Sequence, residues 1–278
     1  MRKRSLLCGV LALWVCACAV TPPPDATGPR PNNIPYPVIL AEDDDRREAV
    51  LAEWTTLARD QGITNAPQPE LQPVTATIKS IPTLSAPLYL PKVGEAMPMT
   101  EEETRESLRR FIVSENRLIG ALPLQLSLVL RTDLADGTKK AQYQQRPFRY
   151  SLRGGYGLLE ISFTADRRIL QVTSTCIPEV EQLQRAGAGI RPALKAEQVP
   201  ERIIGQTLAY TDAAGNPQAL AVNRGDRIDV RELVVYPRLR PGNPQSLEFH
   251  LAWEITVGRE PGRTVYLDAV TNELLAVA

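Results

Sequence analysis

The one histidine of the chain, His250, stands between Glu248 and Glu254 in a stretch of alternating polar and apolar residues. Alternation puts all three on one strand face, where they could serve as metal ligands or as an acid–base pair. The same pattern is what a sheet with one wet face requires. The expectation adopted is therefore that Glu248, His250, Ala252, Glu254 and Thr256 face solvent. A single histidine excludes the paired-histidine motif of zinc proteases, and catalytic zinc needs three protein ligands. Cys176 lies in an apolar stretch with no second Cys or His near it in sequence, which predicts a buried, inert thiol. The runs Asp43-Asp44-Asp45 and Glu101-Glu102-Glu103 sit at predicted helix starts, where the helix dipole accounts for them. Gly154-Gly155-x-Gly157 lacks the strand-to-helix context of a dinucleotide loop. Arg167-Arg168 and Arg238-x-Arg240 are too sparse for a nucleic-acid patch. No Ser/His/Asp or Cys/His arrangement stands out, so no enzyme, metal or cofactor is expected.

The remaining chemistry lies at the N-terminus. Arg2, Lys3 and Arg4 precede an uncharged apolar run from Leu6 to Val20, followed at once by Pro22, Pro23 and Pro24. This is the pattern of a secretory signal, shorter than the about 20 apolar residues that span a bilayer. Val15-Cys16-Ala17-Cys18 resembles a lipobox, which would make Cys18 the acylated N-terminus. Ordinary cleavage around Ala17-Cys18-Ala19 and an uncleaved membrane anchor are the alternatives; a cysteine in the lipobox place favours lipidation. More than one acyl chain on Cys18, palmitate among them, would hold the protein on a membrane. Ala19 after it suggests outer-membrane sorting, with a secreted or periplasmic protein as the alternative.

Composition fits that route. The 278 residues carry 32 basic and 32 acidic side chains. Losing Arg2, Lys3 and Arg4 with the signal leaves 29 basic against 32 acidic residues, a net charge of −3. Without a basic excess, nucleic acid is not an expected partner. Cys8 and Cys16 leave with the signal and Cys18 is taken by lipid, so Cys176 would have no partner for a disulfide.

Fourteen of the 24 prolines fall between Pro22 and Pro98. Residues 1–17 are expected as signal and 18–98 as a Pro-rich tether. Within the tether, Val50, Trp54, Leu57 and Ala58 predict an amphipathic helix near 44–60. Thr100-x-x-Glu103 is a capping box, and Leu108, Phe111, Ile112 and Ile119 share a helical face. Leu124, Leu126, Leu128 and Leu130 then alternate as a half-buried strand, and further strands follow around Tyr143, Ile161 and Val172. A second helix at Val199, Ile203 and Leu208 and strands through Leu233, Leu251, Tyr266 and Leu275 repeat the order. The fold class expected is α+β, two consecutive units after the tether, each a helix packed on an antiparallel sheet, at residues 99–180 and 190–278.

These residues resemble a known pair of modules. Leu108-x-x-Phe111-x-x-x-x-Asn116, Tyr143-Gln144-Gln145 and the stretch from Asp166 to Val172 are similar to the FTP (fungalysin/thermolysin propeptide) motif. Leu233 to Pro237, Leu251 to Val257 and Tyr266 to Leu275 resemble the PepSY module that follows it in thermolysin-like metalloproteases. The family usually has glycine at the positions of Arg167 and Asn272, and Gly-x-Pro-Val where Arg146 to Tyr150 stand. In that family a zinc catalytic domain follows, whereas this chain ends at Ala278 with one imidazole. The resemblance implies a non-catalytic envelope lipoprotein whose head binds, and inhibits or chaperones, a secreted metalloprotease. The alternative is a structural or adhesive envelope protein that keeps the fold without protease contact, its partner another envelope protein. The segment that the resemblance directs towards a protease cleft is Ala269, Val270, Thr271, Asn272, Glu273, Leu274, Leu275, Ala276, Val277 and Ala278. The competing expectation is that Leu274 to Val277 is an ordinary closing edge strand.

Overall fold

The computed structural model describes residues 35–95, 98–212, 214–258 and 262–278. The lipobox and Cys18 lie outside these residues. The first described elements are strand β1 (Val38–Ala41) and helix α1 (Asp44–Asp60). Short strands β2 (Glu70–Leu71), β3 (Ile78–Ser80) and β4 (Leu88–Tyr89) follow, then helices α2 (Glu101–Ser114) and α3 (Asn116–Ile119). Next come β5 (Leu126–Asp133), β6 (Thr138–Gln145), β7 (Ser151–Leu152), β8 (Leu158–Thr164) and β9 (Arg168–Ser174). Helices α4 (Val180–Gly187) and α5 (Val199–Ile203) lead to β10 (Thr207–Thr211) and β11 (Pro217–Ala221). Strands β12 (Ile228–Arg240), β13 (Asn243–Val257), β14 (Arg263–Asp268) and β15 (Leu274–Val277) complete it.

The expected α+β pair of helix-on-sheet units is corrected by this architecture. The described residues form a sheet-rich fold, fifteen strands against five helices, and its largest sheet is mixed. That six-stranded sheet runs β15-β14-β13-β12-β7, with β1 also paired to β13. Strands β1 and β7 come from outside the expected second unit, and β7 pairs with β12 in parallel. The helix expected to cover that sheet, α5, has only five residues. Pro200 sits in its first turn, where its missing N–H is tolerated, and Gly205 at φ 86° turns the chain so that Leu208 enters strand β10 instead of extending the helix.

The residues expected as a tether contribute to the body from Val38 onward. Asp43 caps α1, accepting from the Arg46 N–H at 2.9 Å, and Val50, Trp54, Leu57 and Ala58 are buried. With Leu108, Phe111, Ile112, Leu118 and Ile119 they pack on Leu159, Ile161 and Phe163, one face of the five-stranded sheet β4-β9-β8-β6-β5. The capping box at Thr100 and Glu103 is formed. Helix α3 is capped from a distance, since Glu53 on α1 accepts from the N–H groups of Arg117 and Leu118 at 3.2 Å.

Residues that carried the family resemblance hold this framework. Gln145 is fully buried; its amide donates to Ile177 O at 3.0 Å and accepts from Ile177 N–H at 2.7 Å. It closes the sheet where the β-ladder stops, leaving neither backbone group unsatisfied. Leu108 and Phe111 are core residues, and Asn116 donates to Val113 O at 2.9 Å. Arg167 and Asn272, which stand where the family usually has glycine, both adopt left-handed backbone, at φ 73° and 64°.

Candidate functional site

Strand β13 departs from the one-sided pattern. Leu247 and Phe249 face a core with Val38, Leu40, Leu152 and Leu183, as alternation predicts. The opposite face, expected in solvent, is corrected: Glu248, His250 and Ala252 are buried, and only Glu254 and Thr256 remain half-buried. Partners brought from distant sequence cover it. Cross-strand register sets Tyr236 opposite His250, Arg238 opposite Glu248 and Asp268 opposite Ala252.

The result is a closed polar network. His250 Nδ1 lies 2.7 Å from Asp268 Oδ2 and Nε2 lies 3.2 Å from Glu248 Oε2. Asp268 also accepts from the Tyr36 hydroxyl at 2.7 Å and from the N–H groups of Val270 and Thr271 at 2.7 and 2.8 Å. Burial pushes the Asp268 carboxyl up, but bonds from His250, Thr271, Tyr36 and Val270 together hold it below the usual carboxylate range. Burial, and then the Asp268 charge, push the Tyr36 phenol far above its ordinary value. Glu248 is further held by Arg238 at 3.3 Å and Arg240 at 3.5 Å, and Arg238 reaches Glu273 at 2.8 Å. Each ring nitrogen of the sole imidazole is thus committed to a structural partner. Among the described residues no group of three or more His, Cys, Asp or Glu is arranged to hold a metal ion. Cys176 is fully buried, and desolvation pushes its thiol up to about 12.

The segment Ala269 to Ala278 leaves this network. Ala269 is buried, its carbonyl accepting from the N–H groups of Ala193 and Leu194. Val270, Thr271, Asn272 and Glu273 form the turn; Leu274, Leu275, Ala276 and Val277 make β15, the end strand of the mixed sheet. Each residue of β15 is half-buried, with Leu274 and Val277 against one core and Leu275 and Ala276 against another. Ala278 is exposed and bonds back to Thr264.

A second strand edge exposes more apolar surface. β5 ends the five-stranded sheet and pairs only with β6 among the described residues. Its leucines do not keep one buried face as expected. A bulge between Leu128 and Leu130 breaks the phase, leaving Leu128, Val129 and Leu130 exposed at 42%, 55% and 47%. Leu124 sits in the preceding tight turn, wholly exposed, and Leu134 at the far end is also exposed. Alternation could show this strand's existence but not the bulge, which depends on its pairing with Tyr143 and Gln142.

No known protein family and no curated protein matches the chain. No helix among the described residues is long and apolar enough to cross a membrane.

Proposed function

We propose that this protein is a non-catalytic binding module of the cell envelope, held to the membrane through acylated Cys18, that captures another protein by strand addition along β5. The observation that carries this reading is the exposed run Leu128-Val129-Leu130 on a sheet edge. Native proteins blunt such edges with charge, proline or cover, because unpaired N–H and C=O groups beside apolar side chains template the addition of a strand. The partner class that the FTP and PepSY resemblance suggests is a secreted thermolysin-like metalloprotease, inhibited or chaperoned in trans. Supporting the resemblance, Arg167 and Asn272 hold left-handed backbone at the two places where the family uses glycine. Supporting the non-catalytic reading, the sole histidine has both ring nitrogens engaged and the thiol is buried.

The test adds the full chain to a panel of thermolysin-like proteases that includes the host's own secreted enzymes, with hydrolysis and complex formation measured. Slowed hydrolysis by the wild type, lost in Val129→Lys and Leu130→Lys, is the expected result. Absence of binding across the panel would sink the protease reading. Recovery of envelope components instead, still dependent on Val129 and Leu130, would establish the structural or adhesive alternative.

A further inference from the structure

A cleft of about 340 Å³ opens between helix α4, strand β1 and the mixed sheet, away from the β5 edge. Its walls are apolar: Val38, Leu183, Val235, Phe249 and Leu251, with Phe148 set 5.9 Å from the Phe249 ring. The last residue of α4, Gly187, leaves the space open, since a Cβ there would meet only Val38 Cγ2 at 3.9 Å and Ile190 Cδ1 at 4.0 Å. The volume lies at the small end of the roughly 300–1,000 Å³ typical of ligand sites. At about 30 Å³ each, water's share of the liquid, it holds roughly eleven heavy atoms.

The charge of the lining is one-sided. Among the described residues no Asp or Glu lines the cleft, whereas exposed Arg149 and Arg191 do. Arg191 spends one terminal nitrogen on Ala188 O and Ile190 O, at 2.9 and 3.0 Å, which fixes the guanidinium at the end of α4. Neither arginine has a carboxylate within 4.0 Å among the described residues, and Arg149 packs over the Tyr150 ring. His250 also lines the cleft, but both its ring nitrogens are engaged by Asp268 and Glu248. An apolar slot with two cationic forks at its rim suits a ligand with one apolar tail and one anionic end.

We infer that this cleft binds a medium-chain aliphatic carboxylate, its chain against Val38, Leu183 and Phe249 and its carboxylate between Arg149 and Arg191. The site is separate from the proposed strand-addition edge and does not depend on it. The experiment titrates the full chain with octanoate, whose ten heavy atoms fit the cleft, by isothermal titration calorimetry, and repeats the titration with octanol and octylamine. Saturable binding of octanoate at least about tenfold tighter than that of octanol or octylamine is expected, since each rim charge contributes a modest electrostatic factor. Arg149→Gln with Arg191→Gln should weaken binding about tenfold, and Gly187→Leu should remove it. Both variants should retain the wild-type circular dichroism; the arginine pair, being exposed, remains a valid test if Gly187→Leu fails to fold. Absence of saturable octanoate binding, equal affinity for octanol, or unchanged affinity in the arginine double variant would overturn the assignment.

Discussion

The Tyr36 hydroxyl donates to Asp268 Oδ2 at 2.7 Å, across 232 positions of sequence, and its oxygen accepts from the Leu251 N–H at 3.0 Å. One phenol therefore fastens the start of β1 to both β13 and β14. Tyr36→Phe keeps the ring, which lies edge-on to His250 at 5.8 Å, but strands a buried donor on Leu251 and removes one donor from a buried carboxylate. A loss of about 1–3 kcal/mol at neutral pH is expected in urea unfolding. Asp268 has a depressed folded pKa, so its contribution is present above the unfolded value of 3.8 and disappears as pH falls through the folded one. The gap between wild type and Tyr36→Phe should narrow in acid below that value. A gap constant into strong acid would show that the hydrogen bond does not act through the carboxylate.

His250 is the hinge of the same network. His250→Ala would leave Glu248 and Asp268 buried on one sheet face without the group between them. Removing one partner of a buried charged set costs about 3–5 kcal/mol, well above a routine surface substitution. Thermal unfolding of His250→Ala should show a correspondingly large loss. A change within about 0.5 kcal/mol, the range for exposed sites, would mean that water reaches this face.

Asn272 gives a prediction of the opposite sign. It holds φ 64° in the turn before β15, and its Oδ1 is buried without a hydrogen-bond partner among the described residues. Asn272→Gly relieves both the backbone strain and the unsatisfied oxygen. The added freedom of glycine in the unfolded chain offsets part of the gain. A net stabilisation of about 0.5–1 kcal/mol is expected, read as a raised urea midpoint. A lowered midpoint would assign Asn272 a contact that glycine cannot replace.

Local pattern made some of this legible and long-range pairing did not. The helix at Val50, Trp54, Leu57 and Ala58 and the capping box at Thr100 could be read directly, because period and cap chemistry are local. From Val38 onward the proline-dense region nevertheless joins the body, because Val38 and Leu40 bring apolar area to β13 that outweighs a compositional tendency to stay extended. The buried environment of His250 was hidden for a related reason. Period two shows which residues share a face, but whether that face is dry depends on Tyr36 and Asp268. The cleft beside Gly187 left no local signal at all, since β1, α4 and β13 meet there only after folding.

Cys176 is buried beneath the sheet, with Ser174 Oγ accepting from its backbone N–H at 3.1 Å, and its thiol is pushed up to about 12 by desolvation. The thiolate is the reactive species, so the native protein should resist alkylation at pH 8. Modification by iodoacetamide should follow urea unfolding, with the same midpoint as circular dichroism. Labelling well before that midpoint would reveal local opening near Gly120, which packs against the Cys176 carbonyl.

Glu115, between α2 and α3, supplies a pH signature separable from that of Asp268. Burial raises its carboxyl to about 7, with Glu53 and Asp60 adding to the rise against an opposing bond with Ser114. A raised carboxyl pKa means that the folded state binds more protons than the unfolded one between 4.5 and about 7. Its effect on stability is therefore most favourable below 4.5 and is lost as pH rises to about 7, the reverse of Asp268. Glu115→Gln keeps the neutral form at every pH. It should match the wild type near pH 4.5 and exceed it by about 1–2 kcal/mol at pH 8, allowing for partial solvent screening. Denaturant unfolding at the two pH values separates the cases. An equal effect at both would show that packing, not ionisation, sets the difference.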